Sequence, residues 1–131
     1  MASTQGVGAA NEDTVHVSPT GVVVLDGLSA PKGLPMGCVH GTPWFVRQLG
    51  TTLINLIGDD EVSLQEALRV AITEVNDLHR DTCDLDQEAV PASTVVMIRE
   101  RALCRGHRPP TDSLVACRTT ATSSRRYATR Q

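Results

Sequence analysis

Aromatic side chains are scarce in this 131-residue chain, which holds one Trp, one Tyr and one Phe. Trp44 and Phe45 stand side by side and Tyr127 is far from them, so a row of stacking platforms for single-stranded nucleic acid is excluded. Long apolar runs are missing as well. The longest aliphatic stretch is Val22 to Leu25, where a membrane helix needs about 20 apolar residues. The opening MASTQGVGAANED has neither the basic nor the apolar segment of a secretory leader. Close cysteine pairs are also lacking: Cys38, Cys83, Cys104 and Cys117 are widely spread, and without a leader their thiols are expected to be reduced. These absences predict a soluble cytoplasmic chain with no membrane partner. Apolar residues still make up 40%, enough for the core of one domain.

Charge is present but uneven. The net charge of −3 gives no global reason to bind nucleic acid. Residues 1–102 carry six basic side chains against fourteen acidic ones, whereas residues 103–131 carry six Arg against Asp112 alone. That last segment is rich in Arg, Thr, Ser and Ala and shows no apolar periodicity, so it predicts an irregular basic tail. Its composition also matches a GC-rich gene read out of frame. Residues 1–10 are small and Gly-rich and are expected to fray.

Between these ends the pattern is regular. Thr14 to Val17 and Val22 to Leu25 are β-prone runs separated by the turn signal Ser18-Pro19-Thr20-Gly21, which predicts a hairpin. The second run is continuous enough for a strand buried on both faces. A Gly- and Pro-rich loop follows over 28–41. Thr42-Pro43 then predicts a helix with Thr42 as N-cap, its apolar stripe running from Phe45 to Ile57 and Gly58 as its stop. Ser63 and Glu66 form a capping box for a second helix, with Leu64, Ala67, Leu68, Ala71, Ile72, Val75 and Leu78 on its buried face. An acidic loop leads to a third strand over Ser93 to Ile98. The order strand, strand, helix, helix, strand is α+β. One helical layer cannot cover a strand apolar on both sides, so residues 11–102 read as part of a larger domain.

In a tight hairpin the start of one strand lies beside the end of the next. Glu12 and Asp13 are therefore expected near Asp26-Gly27. Carboxylates so close raise one another's pKa unless a cation compensates, and hard ions such as Mg²⁺ or Mn²⁺ take such oxygen ligands. An ordinary solvated hairpin end has the same spacing.

The segments N-E-D-x-x-x-V, V-V-V-L-D-G and A-S-T-V-V-M-I-R, with two helices between the second and third, resemble the N-terminal half of PP2C-type (PPM) metal-dependent serine/threonine phosphatases. The likeness is to a divergent bacterial, actinobacterial-style subgroup. It rests further on Cys38-Val39-His40-Gly41-Thr42-Pro43-Trp44-Phe45-Val46 at the first helix and His79-Arg80-Asp81-Thr82-Cys83-Asp84-Leu85 after the second. The resemblance implies an α-β-β-α sandwich around two Mg²⁺ or Mn²⁺ ions, which activate a water to hydrolyse a phosphoserine or phosphothreonine of a phosphoprotein substrate. By position, Asp26 would bridge the metals, Gly27 would offer its carbonyl, and Glu12 and Asp13 would hold metal-bound waters. The family's D-G-H-G-G stands here as Asp26-Gly27-Leu28-Ser29-Ala30, without the acid histidine, and its later G-D-S and D-N segments have no counterpart. The expectation is a partial sandwich with the first metal half-site, inactive alone, in which His40 is a candidate substitute acid over Asp26.

Two readings from other classes stand beside it. One is a phosphatase-derived, non-catalytic module that binds a partner through its exposed sheet. The other is an orphan α+β domain with a basic nucleic-acid-binding tail. His79-x3-Cys83 with Cys104-x2-His107 makes an unusual zinc pattern, and the plainer expectation for them is a helix-end histidine and a loop thiol. Cys38 beside His40 suggests a nucleophile and base, but packing is the plainer role without a placed carboxylate. Trp44 and Phe45 are expected to anchor the core.

Overall fold

β-branched residues on both sides of a four-residue turn start the fold as a hairpin. The computed structural model describes residues 10–28 and 30–100 in full and residues 111–120 as backbone. Strand β1 (Asp13–Val17) pairs antiparallel with β2 (Gly21–Leu28), placing Asp13 opposite Asp26 and Val17 opposite Val22. The turn closes through the Ser18 N–H, which donates to the Gly21 carbonyl at 2.9 Å. Strand β3 (Ala92–Glu100) lies antiparallel on the other side of β2, with Val24 opposite Val96.

A fourth strand, β4 (Thr111–Thr120), completes the antiparallel order β1-β2-β3-β4. The sequence predicts no element past Ala102, so this backbone pairing is a correction to the irregular tail. The free edge of β3 offers a ladder of N–H and C=O groups, and a stretch with three Thr and the pair Leu114-Val115 can take it without apolar periodicity. The expected frayed segment 1–10 lies, apart from Ala10, outside the described residues. The rest of the tail, 103–110 and 121–131, lies outside them too.

Helices α1 (Gly41–Leu56) and α2 (Leu64–His79) cover one face of the sheet. Val23, Leu25, Val95 and Met97 rise from the strands to meet Phe45, Leu49 and Leu53 of α1 and Leu68, Ala71 and Val75 of α2, all fully buried. Apart from Ala71, each such side chain contributes about 1.5–3 kcal/mol of apolar burial. Phe45 is the expected anchor, and Trp44 packs half-buried against the same cluster. The α+β class and the order of the first five elements follow the sequence reading.

Two local expectations are corrected. α1 begins two residues early, with His40 rather than Thr42 at the N-cap, and the Thr42 hydroxyl is spent on the Leu28 carbonyl at 3.3 Å. On α2 the last inward position belongs to His79, fully buried, while Leu78 is 62% exposed. The capping box at Ser63 holds, with its side chain accepting from the Glu66 N–H at 3.1 Å. On its other side, as a single helical layer implies, β2 is covered by no described element. Val17, Val24 and Ile98 on the side away from the helices are 58%, 38% and 44% exposed.

Arg99 points the other way, into the helical layer. It is almost wholly buried, and its Nη1 donates to the carbonyls of Val62 at 2.7 Å and Asp59 at 2.9 Å, with Ile57 at 3.5 Å. These carbonyls lie at the end of α1 and in the α1–α2 connection, where backbone acceptors have no helical partner.

Candidate functional site

Strand register brings the predicted carboxylates together. Asp13 and Asp26 are direct partners across β1 and β2, and both are exposed on the uncovered side of the sheet. Burial, a hydrogen bond with Asp26 and the charges of Asp26 and Glu12, in that order, hold the Asp13 carboxyl above its ordinary range. Gly27 N–H donates to the Glu12 carbonyl at 3.0 Å, which extends the hairpin by one residue. A side chain at Gly27 would meet the Glu12 carbonyl and the Thr42 methyl at 2.7 Å each. Glycine is therefore required where β2, the entry to β1 and the first turn of α1 converge. Below, the buried Ser93 hydroxyl lies 3.0 Å from the Asp26 carbonyl and fixes that backbone.

These side chains fit a hard cation to a limited degree. Two facing carboxylates with a third nearby concentrate negative charge, and oxygen donors of this kind suit Mg²⁺ or Mn²⁺. The three acidic groups come from one hairpin end and cover one side of any bound ion.

A second cluster is tighter. Cys38 and His40 immediately precede α1, while His79 ends α2 and Cys83 follows it. Their potential ligand atoms all lie within 4.8 Å of one another. Cys38 Sγ is 3.3 Å from Cys83 Sγ, 3.3 Å from His79 Nδ1 and 3.8 Å from His40 Nδ1. Cys83 Sγ is 3.3 Å from His40 Nδ1. Local folding explains the convergence. The Thr82 and Cys83 N–H groups both donate to the His79 carbonyl, so the chain turns tightly after α2. Reciprocal backbone bonds, Gly37 N–H to Ala89 O and Asp84 N–H to Gly37 O, each 2.8 Å, then bind the two ligand-bearing segments. A Cβ at Gly37 would overlap the Asp84 carbonyl, so only glycine permits that approach.

Burial and the neighbouring Cys83 push the Cys38 thiol up, against backbone N–H bonds from His40 and Gly41. At Cys83 burial also opposes ionisation. Hydrogen bonds from Cys38, the Val39 N–H, His79 and Thr82 outweigh it and bring that thiol down to about 6. His40 stacks on Trp44 at a centroid distance of 4.4 Å, and Trp44 also touches the His79 ring at 5.1 Å.

The residues are thus redistributed relative to expectation. Asp13, Asp26, Glu12 and Gly27 meet as predicted. His40, the candidate substitute acid, faces two sulfurs and an indole. His79 and Cys83 meet Cys38 and His40, whereas Cys104 and His107, their sequence-suggested partners, lie outside the described residues. The signal for this quartet was present as two short pairs, C-x-H before one helix and H-x3-C after the next. Two successive helices of equal length, folded back on each other, put the start of the first beside the end of the second.

No protein-family model, curated protein or solved structure matches the chain. Among the described residues, no helix is long and apolar enough to cross a membrane.

Proposed function

We propose that this chain is part of a PP2C-like, metal-dependent phosphoserine/phosphothreonine phosphatase, carrying the first half of a dinuclear Mg²⁺ or Mn²⁺ centre. The observation that supports this reading is the pairing of Asp13 with Asp26 across the hairpin end, at the rim of a sheet face left bare. In such a centre Asp26 and the Gly27 carbonyl would be direct ligands, and Glu12 and Asp13 would orient waters on them. Bound divalent ions would supply water activation and charge neutralisation on a phosphoryl oxygen. The residues of this chain would hold and orient those ions, and an α-β-β-α sandwich would need a second sheet against Val17, Val24 and Ile98. The later acidic segments of that family have no counterpart in the 131 residues, so the chain alone is expected to bind Mn²⁺ weakly and to leave phosphoesters intact.

Mn²⁺ titration followed by electron paramagnetic resonance tests the half-site. Weak binding lost in Asp26→Asn is the expected result, with p-nitrophenyl phosphate unhydrolysed by either form. Mn²⁺ binding unchanged by Asp26→Asn overturns the assignment. The bare apolar face favours a second reading, a phosphatase-derived module that binds a partner without catalysis. It gains if the folded chain shows no Mn²⁺ binding at all.

A further inference from the structure

We propose that Cys38, His40, His79 and Cys83 form a structural Zn²⁺ site that staples the segment entering α1 to the segment leaving α2. Tetrahedral Zn²⁺ with Zn–S of about 2.3 Å and Zn–N of about 2.0–2.1 Å requires neighbouring ligand atoms to stand roughly 3.3–3.8 Å apart. The three sulfur–nitrogen edges, 3.3, 3.3 and 3.8 Å, bracket the roughly 3.6 Å that such an ion sets between S and N, and the 3.3 Å sulfur–sulfur edge would open to roughly 3.8 Å as the ion enters. Both sulfurs also receive backbone N–H groups, from His40 and Gly41 at Cys38 and from Val39 at Cys83. Such donors stabilise thiolate ligands rather than neutral thiols.

All four side chains turn a ligand atom into the cluster, His79 offering Nδ1 from a fully buried position. Sulfur and imidazole ligands select a borderline-soft ion over the Mg²⁺ or Mn²⁺ suited to the carboxylates. Four protein ligands leave no open position, so the ion would be structural rather than catalytic. Its place in the fold gives it a consequence. The segment it fixes leads directly into the α1 turn that lies against Gly27, so the site would set the geometry of the hairpin end from the helical side. The assignment is independent of the phosphatase reading.

The test uses the full chain, purified under reducing conditions and titrated with Co²⁺ and then Zn²⁺. One equivalent of Co²⁺ should give intense visible bands of tetrahedral geometry and a sulfur-to-cobalt charge-transfer band, both abolished by one equivalent of Zn²⁺. Cys83→Ser should remove the charge-transfer intensity of one thiolate and weaken binding at least 100-fold. His40→Ala, at an exposed position that tolerates truncation, should weaken it 10- to 100-fold while the circular dichroism of the fold is unchanged. Asp26→Asn should bind Co²⁺ as the parent does, which separates this site from the carboxylates. Octahedral Co²⁺ spectra, binding insensitive to both Cys83→Ser and His40→Ala, or a reduced chain that binds neither ion would each overturn the proposal. A chain isolated with Cys38 and Cys83 joined in a disulfide, and unable to take up Zn²⁺ after reduction, would overturn it too.

Discussion

At the scale of single residues, the position that sequence patterning values least is Arg99. It reads as a charge ending the run Val95 to Ile98, yet it is buried and caps three carbonyls around the α1–α2 connection. Removing it leaves those acceptors in a dry environment and opens a cavity. Arg99→Ala should therefore destabilise the fold by roughly 3 kcal/mol. Chemical denaturation would show it as a lower midpoint, and a loss under about 0.5 kcal/mol, the level of an ordinary surface substitution, would contradict the structure. Arg99→Lys should recover only part of the loss, since an ammonium lacks the guanidinium's fixed fork. By contrast the exposed Arg69–Glu66 and Arg80–Asp77 pairs, 2.6 Å each, sit in solvent where such contacts contribute little.

At the scale of elements, α2 is the helix whose limits follow most directly from its residues. Ser63 has extended backbone, accepts the Glu66 N–H, and is followed by a stripe of one apolar face through Val75. Ser63→Ala should cost about 1 kcal/mol through an unsatisfied first-turn N–H. The unfolding midpoint reads this directly, and Ser63→Asp should restore it. α1 is different. Its start is set by tertiary contacts, with Thr42 bonded to Leu28 and His40 held among sulfurs and Trp44. The last turn of α2 shows the same override. Helical periodicity admits Leu78 to the buried face, but His79 takes the inward place because Cys38 and Trp44 await it there.

At the scale of the whole molecule, one side of the sheet is a core wall and the other is covered by no described element. Val15, Val17, Val24 and Ile98 share the bare side with Val22 and Val96, which alternation along β1, β2 and β3 places there. A contiguous apolar face of this kind promotes association. Val17→Lys with Val24→Thr should raise the concentration at which light scattering sets in, while shifting stability by no more than about 0.5 kcal/mol. Unchanged scattering would mean that this face does not drive association. The continuous run Val22 to Leu25 was legible as a strand apolar on both sides, and the bare face is the physical expression of that pattern.

The sequence by itself determined the α+β class, the order of the first five elements and the meeting of Asp13 with Asp26, because strand alternation, capping chemistry and a short turn are local rules. It did not reveal β4, whose pairing depends on the open edge of β3 more than on its own apolar pattern. Only the tertiary structure decided the partners of Cys38, His40, His79 and Cys83. His40 and His79 stand 39 positions apart, and no local rule links the two ligand pairs. Packing two helices of equal length back to back does, by laying the entrance of one beside the exit of the other.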